Sequence, residues 1–251
     1  MKKYMVTILV FLLLLALSSC SNENVVLSDS RTYEITSDIH SLDIQINAAD
    51  FKIEHGYEFS VESNLKYLSV SEKDGVLTII DEAKSSSNYS NPVLTLYVPN
   101  GIVFDDVDIT TGAAKLTADA LSASLLELKL GAGDVRFESL NASSNANIKG
   151  GAGQITIASG TLNDLTLEMG VGELNLTAAV LGDSNLKFGV GESNLTLIGG
   201  KDDYKVDDEK GLGLISVDGK DVSEFGSSGN GQSQIHIEGG VGAVHIIFQE
   251  D

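Results

Sequence analysis

The sequence predicts an all-β fold, a β-solenoid built from coils of about 19 residues. A Gly-x-Gly phrase recurs at near-constant spacing, apolar residues alternate with polar ones on both sides of each phrase, and helical periodicity is almost absent after residue 20. A unit this short has too few apolar side chains to bury a core alone, so successive units are expected to stack. The regular phrases begin at Gly112, Gly131, Gly151, Gly170 and Gly189, which are 19, 20, 19 and 19 residues apart.

Each phrase is predicted to be a corner. The apolar residues around Gly170 are Leu165, Leu167, Val171, Leu174 and Leu176. Their alternation slips by one residue between Val171 and Leu174, at Gly172. A strand changes phase only where it bulges or turns, and glycine tolerates the positive φ and close backbone approach of such a turn. We therefore predict two short strands per coil that meet at a Gly-x-Gly corner. The predicted corner glycines are Gly112, Gly131, Gly133, Gly151, Gly153, Gly170, Gly172, Gly189, Gly191, Gly211, Gly213, Gly240 and Gly242.

The N-terminal residues have the features of a bacterial export signal. Two lysines precede an apolar run, Val6–Leu17, that is too short for a comfortable membrane span. The run ends in Leu17-Ser18-Ser19-Cys20, which resembles the lipobox of bacterial lipoproteins and implies lipidation of Cys20, the only cysteine. Two or more acyl chains on Cys20 would anchor the protein stably to a membrane. We expect a signal peptide at 1–19, a lipidated cysteine and polar tether at 20–31, and a lipid-anchored, extracytoplasmic location in the cell envelope.

Residues 32–251 are predicted to form one solenoid domain. Leu42–Ile53 has the apolar spacing of a coil, with Asn47 and an alanine replacing the glycines. Residues 54–106 lack the corner and are expected to be irregular; four strands there could form irregular coils or a small sheet on the side of the solenoid. Regular repeats follow at 107–200. Looser coils with corners at Gly211 and Gly240 are predicted at 201–251.

Several motifs together resemble the bacterial "putative adhesin" β-solenoid family, which is related to the toast-rack domains of envelope-stress proteins. They are the lipobox, Leu96-Tyr-Val-Pro-Asn-Gly101, the serial Gly-[Ala/Val]-Gly-acid-apolar units and the closing Gly239-Gly-Val-Gly242. The resemblance covers residues 32–249. It implies a surface-exposed, single-stranded right-handed β-helix with an adhesive or scaffolding role and no known catalytic residues. Asn47 and the long Gly189-to-Gly240 stretch depart from the pattern and leave the end coils open.

Composition excludes several kinds of partner and site. A net charge of −20 disfavours nucleic acid and anionic lipid headgroups as ligands. The Gly-x-Gly phrases lack the third glycine and the helix of a phosphate loop. The four histidines, His40, His55, His236 and His245, lack zinc-ligand spacing. We predict no metal site, no cofactor and no catalytic residue.

A polar residue follows most corners and is expected to form a ladder along the solenoid. A solvent-exposed corner is the simpler interpretation of this ladder, because stacked acids repel, and a cation-binding ladder is the alternative. The ladder residues are Lys115, Asp134, Gln154, Glu173 and Glu192.

These observations favour a noncatalytic envelope lipoprotein that presents a rigid acidic solenoid to an unknown protein or matrix partner, for adhesion or scaffolding. The alternative is a cation-responsive or envelope-stress sensing module. A glycan-active β-helix enzyme is the third hypothesis. It is ranked last because the chain has no Trp, few aromatic residues to hold a sugar ring and few basic residues.

Overall fold

The computed structural model describes residues 27–83, 91–209, 211–221 and 231–250. The predicted signal peptide and Cys20 lie outside these residues. The described residues form a single network of 19 strands and one short 3-10 turn, Lys201–Asp203, which confirms the all-β solenoid. The strands are β1 (Arg31–Glu34), β2 (Ser41–Ile46), β3 (Asp50–Gly56), β4 (Ser60–Ser63), β5 (Leu68–Lys73), β6 (Val76–Asp81), β7 (Val93–Pro99), β8 (Phe104–Ala113), β9 (Lys115–Ala118), β10 (Leu121–Phe137), β11 (Leu140–Ile157), β12 (Gly160–Asn163), β13 (Leu165–Leu181), β14 (Asp183–Ile198), β15 (Tyr204–Glu209), β16 (Leu214–Val217), β17 (Lys220–Asp221), β18 (Ser233–Glu238) and β19 (Val241–Gln249).

The regular coils stack as parallel strands in register. Strand β10 pairs with β11, β11 with β13, and β13 with β14, so equivalent residues of successive coils lie directly side by side. Leu128, Ile148, Leu167 and Leu186 form one such row and are buried. The 19-residue period thus stacks like residues into one continuous apolar core.

The coil formed by β10 bends more often than the sequence pattern predicts. Within β10 the buried positions shift phase between Ala123 and Leu126, where the pairing register with β11 also shifts. They shift again at the Gly131–Gly133 corner, and β10 runs through this corner as one strand. The prediction of two strands and one corner missed the first bend, because no glycine marks it.

At the corners the glycines leave room for the backbone of the preceding coil. Gly133 has a φ of +139°, and a Cβ built on it would lie 2.1 Å from the carbonyl oxygen of Ala114. Gly131 has the same constraint without a positive φ, since its Cβ would lie 2.3 Å from the oxygen of Gly112. A side chain at either position would force two coils apart.

The coils are not stacked in sequence order at either end. The first coil, β2 with β3, lies between β8/β9 and the coil formed by β6 and β7. The last coil, β18 with β19, lies between β14 and the coil formed by β15 and β16. The first and last coils of the sequence therefore lie inside the stack, and each is hydrogen-bonded to a coil on both sides.

Antiparallel strands cover the N-terminal end of the stack. Strand β5 pairs with β6, β4 pairs with β7, and β1 pairs with β4. Residues 54–106, for which two arrangements were left open, thus supply one coil of the solenoid and the strands that cap it. At the other end the two-residue strand β17 pairs antiparallel with β16.

Candidate functional site

The predicted polar ladder lies on one side of the corners. Asp134, Gln154, Glu173 and Glu192 are aligned across β10, β11, β13 and β14. A second outward row, two residues further along each strand, aligns Arg136, Thr156, Asn175 and Asn194. The Asn194 amide donates to Asn175 Oδ1 at 3.1 Å, so the second row is bonded from coil to coil.

The N-terminal members of these two rows line a shallow groove of about 570 Å³ on the outside of the solenoid, which we call the polar groove. Its walls include Lys115, Asp134, Arg136 and Gln154. The groove holds mixed charges and no aromatic platform of the kind on which sugar rings stack. It is suited to hydrogen bonding with an extended polar partner.

An exposed apolar row follows the tips of the corners, at the middle residue of each Gly-x-Gly phrase. We call this row the corner ridge. Its members in the N-terminal half are alanines, and those in the C-terminal half are larger. In stacking order the corner ridge consists of Ala113, Ala132, Ala152, Val171, Val190, Val241 and Leu212.

Charge along the corner ridge changes sign between its two halves. The ridge is flanked by the polar ladder on one side and, on the other, by the outward row that precedes the glycines. Beside the alanines these flanks carry three lysines and one carboxylate, namely Lys115, Lys129, Lys149 and Asp134. Beside the valines and Leu212 they carry five carboxylates and one lysine, namely Glu168, Glu173, Glu192, Glu209, Glu238 and Lys187.

Ion pairs hold several of these exposed side chains. Lys187 Nζ lies 2.6 Å from Glu238 Oε2, and hydrogen bonding from Lys187 lowers the pKa of the Glu238 carboxyl. Lys129 Nζ lies 2.9 Å from Glu127 Oε1, and this hydrogen bond raises the pKa of Lys129. Arg136 donates to Glu138 at 3.0 Å and lowers the pKa of that carboxyl. Among the residues that the structure describes, the lysine beside the C-terminal half of the ridge, Lys187, is therefore paired, as is Lys129 beside the alanine half.

The histidines are dispersed over the solenoid. His40 Nδ1 lies 3.2 Å from Asp105 Oδ2 near the N-terminal end, whereas His245 Nδ1 lies 2.7 Å from the buried hydroxyl of Ser216 near the other end. Within the described ranges no three His, Cys, Asp or Glu side chains are grouped as metal ligands. The Ser216–His245 hydrogen bond links the last two coils.

Sequence reasoning missed the corner ridge, although the signal is in the repeat itself. The middle residue of the phrase is Ala in the earlier copies and Val or Leu in the later ones. The apolar alternation predicts that Val171 points inward with Leu165 and Leu167, whereas the structure leaves its side chain 56% exposed, because the chain turns outward at the corner.

In the part of the chain that the structure describes, no helix has the length and apolarity needed to cross a bilayer. No curated protein matches the sequence. Among solved structures, a "putative adhesin" from Bacteroides fragilis is similar with a TM-score of 0.59 and 15% identity, over 86% of this chain and 95% of that one. A "putative adhesin" from Parabacteroides distasonis has a TM-score of 0.47 and 16% identity, with the same coverage.

The model of the Toastrack DUF4097 family matches residues 33–240, which is most of the chain. This range contains the regular coils and most of the antiparallel cap, and it ends at Gly240, the first glycine of the last corner. At 15% identity, the likeness to the Bacteroides fragilis protein concerns the fold, and this fold agrees with the family match. The chain belongs to the Toastrack DUF4097 family.

Proposed function

We propose that this protein is a noncatalytic lipoprotein of the cell envelope that presents its solenoid to a protein or matrix partner, for adhesion or scaffolding. The observation that carries the proposal is the alignment of outward side chains in register across the coils. A partner would meet the same spacing, about 4.8 Å, at every step along the surface. Such a surface suits many weak contacts made in parallel.

The surface is also rigid, which favours binding. Both terminal coils are hydrogen-bonded on two sides, and antiparallel strands cover the N-terminal end. A preorganised surface loses less conformational entropy when a partner binds. The Bacteroides fragilis "putative adhesin" shares the fold, and its name agrees with a role at the cell surface.

The noncatalytic part of the proposal is supported by the outward chemistry. The Ser216 hydroxyl is buried, and its histidine partner is followed across the sheet by Asn194 rather than by a carboxylate. The polar groove has charged groups but no aromatic wall to hold a sugar ring. We expect no cleavage when the protein is incubated with a panel of neutral and acidic polysaccharides.

A pull-down tests the binding role. Residues 21–251, immobilised through the N-terminus so that the solenoid surface stays free, should retain a component of envelope or extracellular-matrix extracts. The control is a polypeptide of the same composition with its residues in scrambled order, which stays unfolded and has the same charge without the stacked surface. Equal retention by folded and unfolded protein, or none by either, would reject the proposal.

A further inference from the structure

We propose that the C-terminal half of the corner ridge is a docking surface for a cationic polypeptide segment that carries apolar side chains. This inference rests on the proposed function and specifies the chemistry of the partner. Its site consists of Val171, Val190, Val241 and Leu212, with the carboxylates on either side.

The apolar part of the site is exposed without interruption. Val171, Val190, Val241 and Leu212 are 56%, 51%, 49% and 90% exposed, and they occupy four successive coils. At roughly 4.8 Å per coil they span about 14 Å. Valine and leucine here add apolar surface that contributes nothing to the core, whereas alanines suffice at the same corner in the other coils.

The shape of the corner makes this row accessible from both sides. Each ridge residue of this half stands between two glycines, for example Val190 between Gly189 and Gly191. The glycines have no side chains to shield it, so a partner can contact the methyl groups and the neighbouring carboxylates together. About four or five residues of an extended chain match the length of the site.

Charge identifies the partner. Five carboxylates and one lysine flank this half, and the ion pair of Lys187 with Glu238 leaves an excess of four carboxylates. A cationic segment gains attraction here that a neutral or acidic one lacks. The alanine half of the ridge lacks this excess of carboxylates, since Lys129 there is paired with Glu127 and Asp108. Its other charged flanking side chains are Lys115, Lys149 and Asp134. A cationic segment therefore gains less attraction at the alanine half than at the valine half.

The same charges disfavour other occupants. An anionic bilayer would be repelled by the flanking carboxylates and by the net charge of −20. A second copy that placed two valine halves together would bring ten carboxylates to one interface, counting five from each copy. A basic, apolar-bearing protein segment satisfies both parts of the surface.

Fluorescence anisotropy with a labelled peptide of about ten residues of alternating lysine and leucine tests this inference, since that length exceeds the site. We expect saturable binding to the folded protein that weakens with salt. A peptide of lysine and serine should bind more weakly, and a peptide of glutamate and leucine should not bind. Changing Val171, Val190 and Val241 together to alanine should weaken binding roughly tenfold, since each loses buried methyl groups.

Two further variants test whether binding depends on the carboxylates of this site or on the net negative charge of the whole protein. Glu173→Gln with Glu192→Gln should weaken binding and flatten its salt dependence. Asp134→Asn, together with Ala132→Val, places a matched change in the alanine half and should leave binding unchanged. All of these positions are exposed, so circular dichroism should show the wild-type fold.

Equal binding by wild type and the triple-alanine variant would overturn the inference, because it would show attraction to net charge alone. So would association with phosphatidylcholine vesicles, or a dimer in sedimentation that the triple-alanine variant abolishes. The defined peptide needs no native partner. A failed pull-down with successful peptide binding would therefore reject the proposed function alone, whereas the reverse would reject this inference alone.

Discussion

The carbonyl oxygen of Gly153 lies where a side chain of Gly172 would have to begin, 1.8 Å from the position of a Cβ. The two residues are paired in register on β11 and β13, and Gly172 has a φ of +147°. Close approach and unusual backbone conformation thus coincide at one position. The same contact is repeated between Gly172 and Gly191, so the corner of each coil is fitted to the corner before it.

Gly172→Ala should destabilise the protein strongly, by well over about 2 kcal/mol, because the methyl group meets backbone that cannot move without separating two coils. Thermal or denaturant unfolding measures this. Two matched variants separate the effect of steric crowding from that of backbone strain. Gly101→Ala introduces only backbone strain, since φ is +79° and no atom lies within 4 Å of its Cβ, and it should cost about 1 kcal/mol.

Gly200→Ala is the second matched variant. Its φ is −73° and the nearest atom to its Cβ is 3.5 Å away, so it should be neutral within about 0.5 kcal/mol. If all three variants had similar stability, crowding of the coils would not be what requires glycine at the corners.

Deleting residues 231–251 should unfold more than the deleted coil. Strand β15 pairs with β18, and β16 pairs with β19, so removal of the last coil takes away the support of 204–217 as well. Hydrogen exchange should show loss of protection in 204–217, while 121–157 stays protected. Continued protection of 204–217 would mean that this segment can stack directly on β14.

A synthetic peptide of residues 231–250 should restore protection to 204–217 when it is added to the truncated protein. The peptide supplies the strands that pair with β14 on one side and with β15 and β16 on the other, including the buried side chains of Ile237 and Ile246. The control peptide has both isoleucines changed to aspartate, which cannot be buried at low cost. Restoration by both peptides alike would show that the effect is not insertion into the vacant position.

Glu238→Gln should remove a small, pH-dependent part of the stability. Hydrogen bonding and attraction from Lys187 lower the pKa of Glu238 below its ordinary value of 4.5 in the folded state. The carboxylate therefore stabilises the fold above pH 4.5, and this contribution is lost as the pH falls through the lowered pKa. The difference in melting temperature between wild type and Glu238→Gln should be present near neutral pH and vanish in acid.

A Lys187 variant is the control for this ion pair. Deprotonation of Lys187 also sets the upper pH limit of the pair's contribution to stability. Its pKa is raised above 10.5, chiefly by the hydrogen bond to Glu238, so its contribution is present below pH 10.5 and is lost as the pH rises through the raised pKa. In a Lys187→Met background, Glu238→Gln should no longer change the pH profile. A persisting difference would assign the effect to another neighbour of Glu238.

Cys20→Ser should abolish acylation in a bacterial host. The lipobox resemblance predicts that the Cys20 thiol carries lipid, and a serine hydroxyl is not expected to replace it. Metabolic labelling with a clickable fatty acid should label wild type and the Ser21→Ala control, and should not label Cys20→Ser. Label on Cys20→Ser would place the modification elsewhere in the chain.

The sequence determined the coil and its inward side chains. Spacing of the phrases predicted which residues stack, and Leu167 and Leu174 are buried on the two sides of the corner at Gly170 as the alternation requires. These features follow from local periodicity, since a residue's side of a strand depends on its nearest neighbours in the chain. The polar ladder could be predicted for the same reason.

Only the tertiary structure decided the order of the coils at the two ends. The alternating pattern of Leu42–Ile53 and Ser233–Gln249 does not decide between a place at the end of the stack and a place inside it, because either coil can pair with a neighbour on both sides. Their places depend on which strand edges are free and on the antiparallel strands that cover β6 and β7. That order also brings Val241 beside Val190 and Leu212 beside Val241, and so assembles the C-terminal half of the corner ridge from residues that are far apart in sequence.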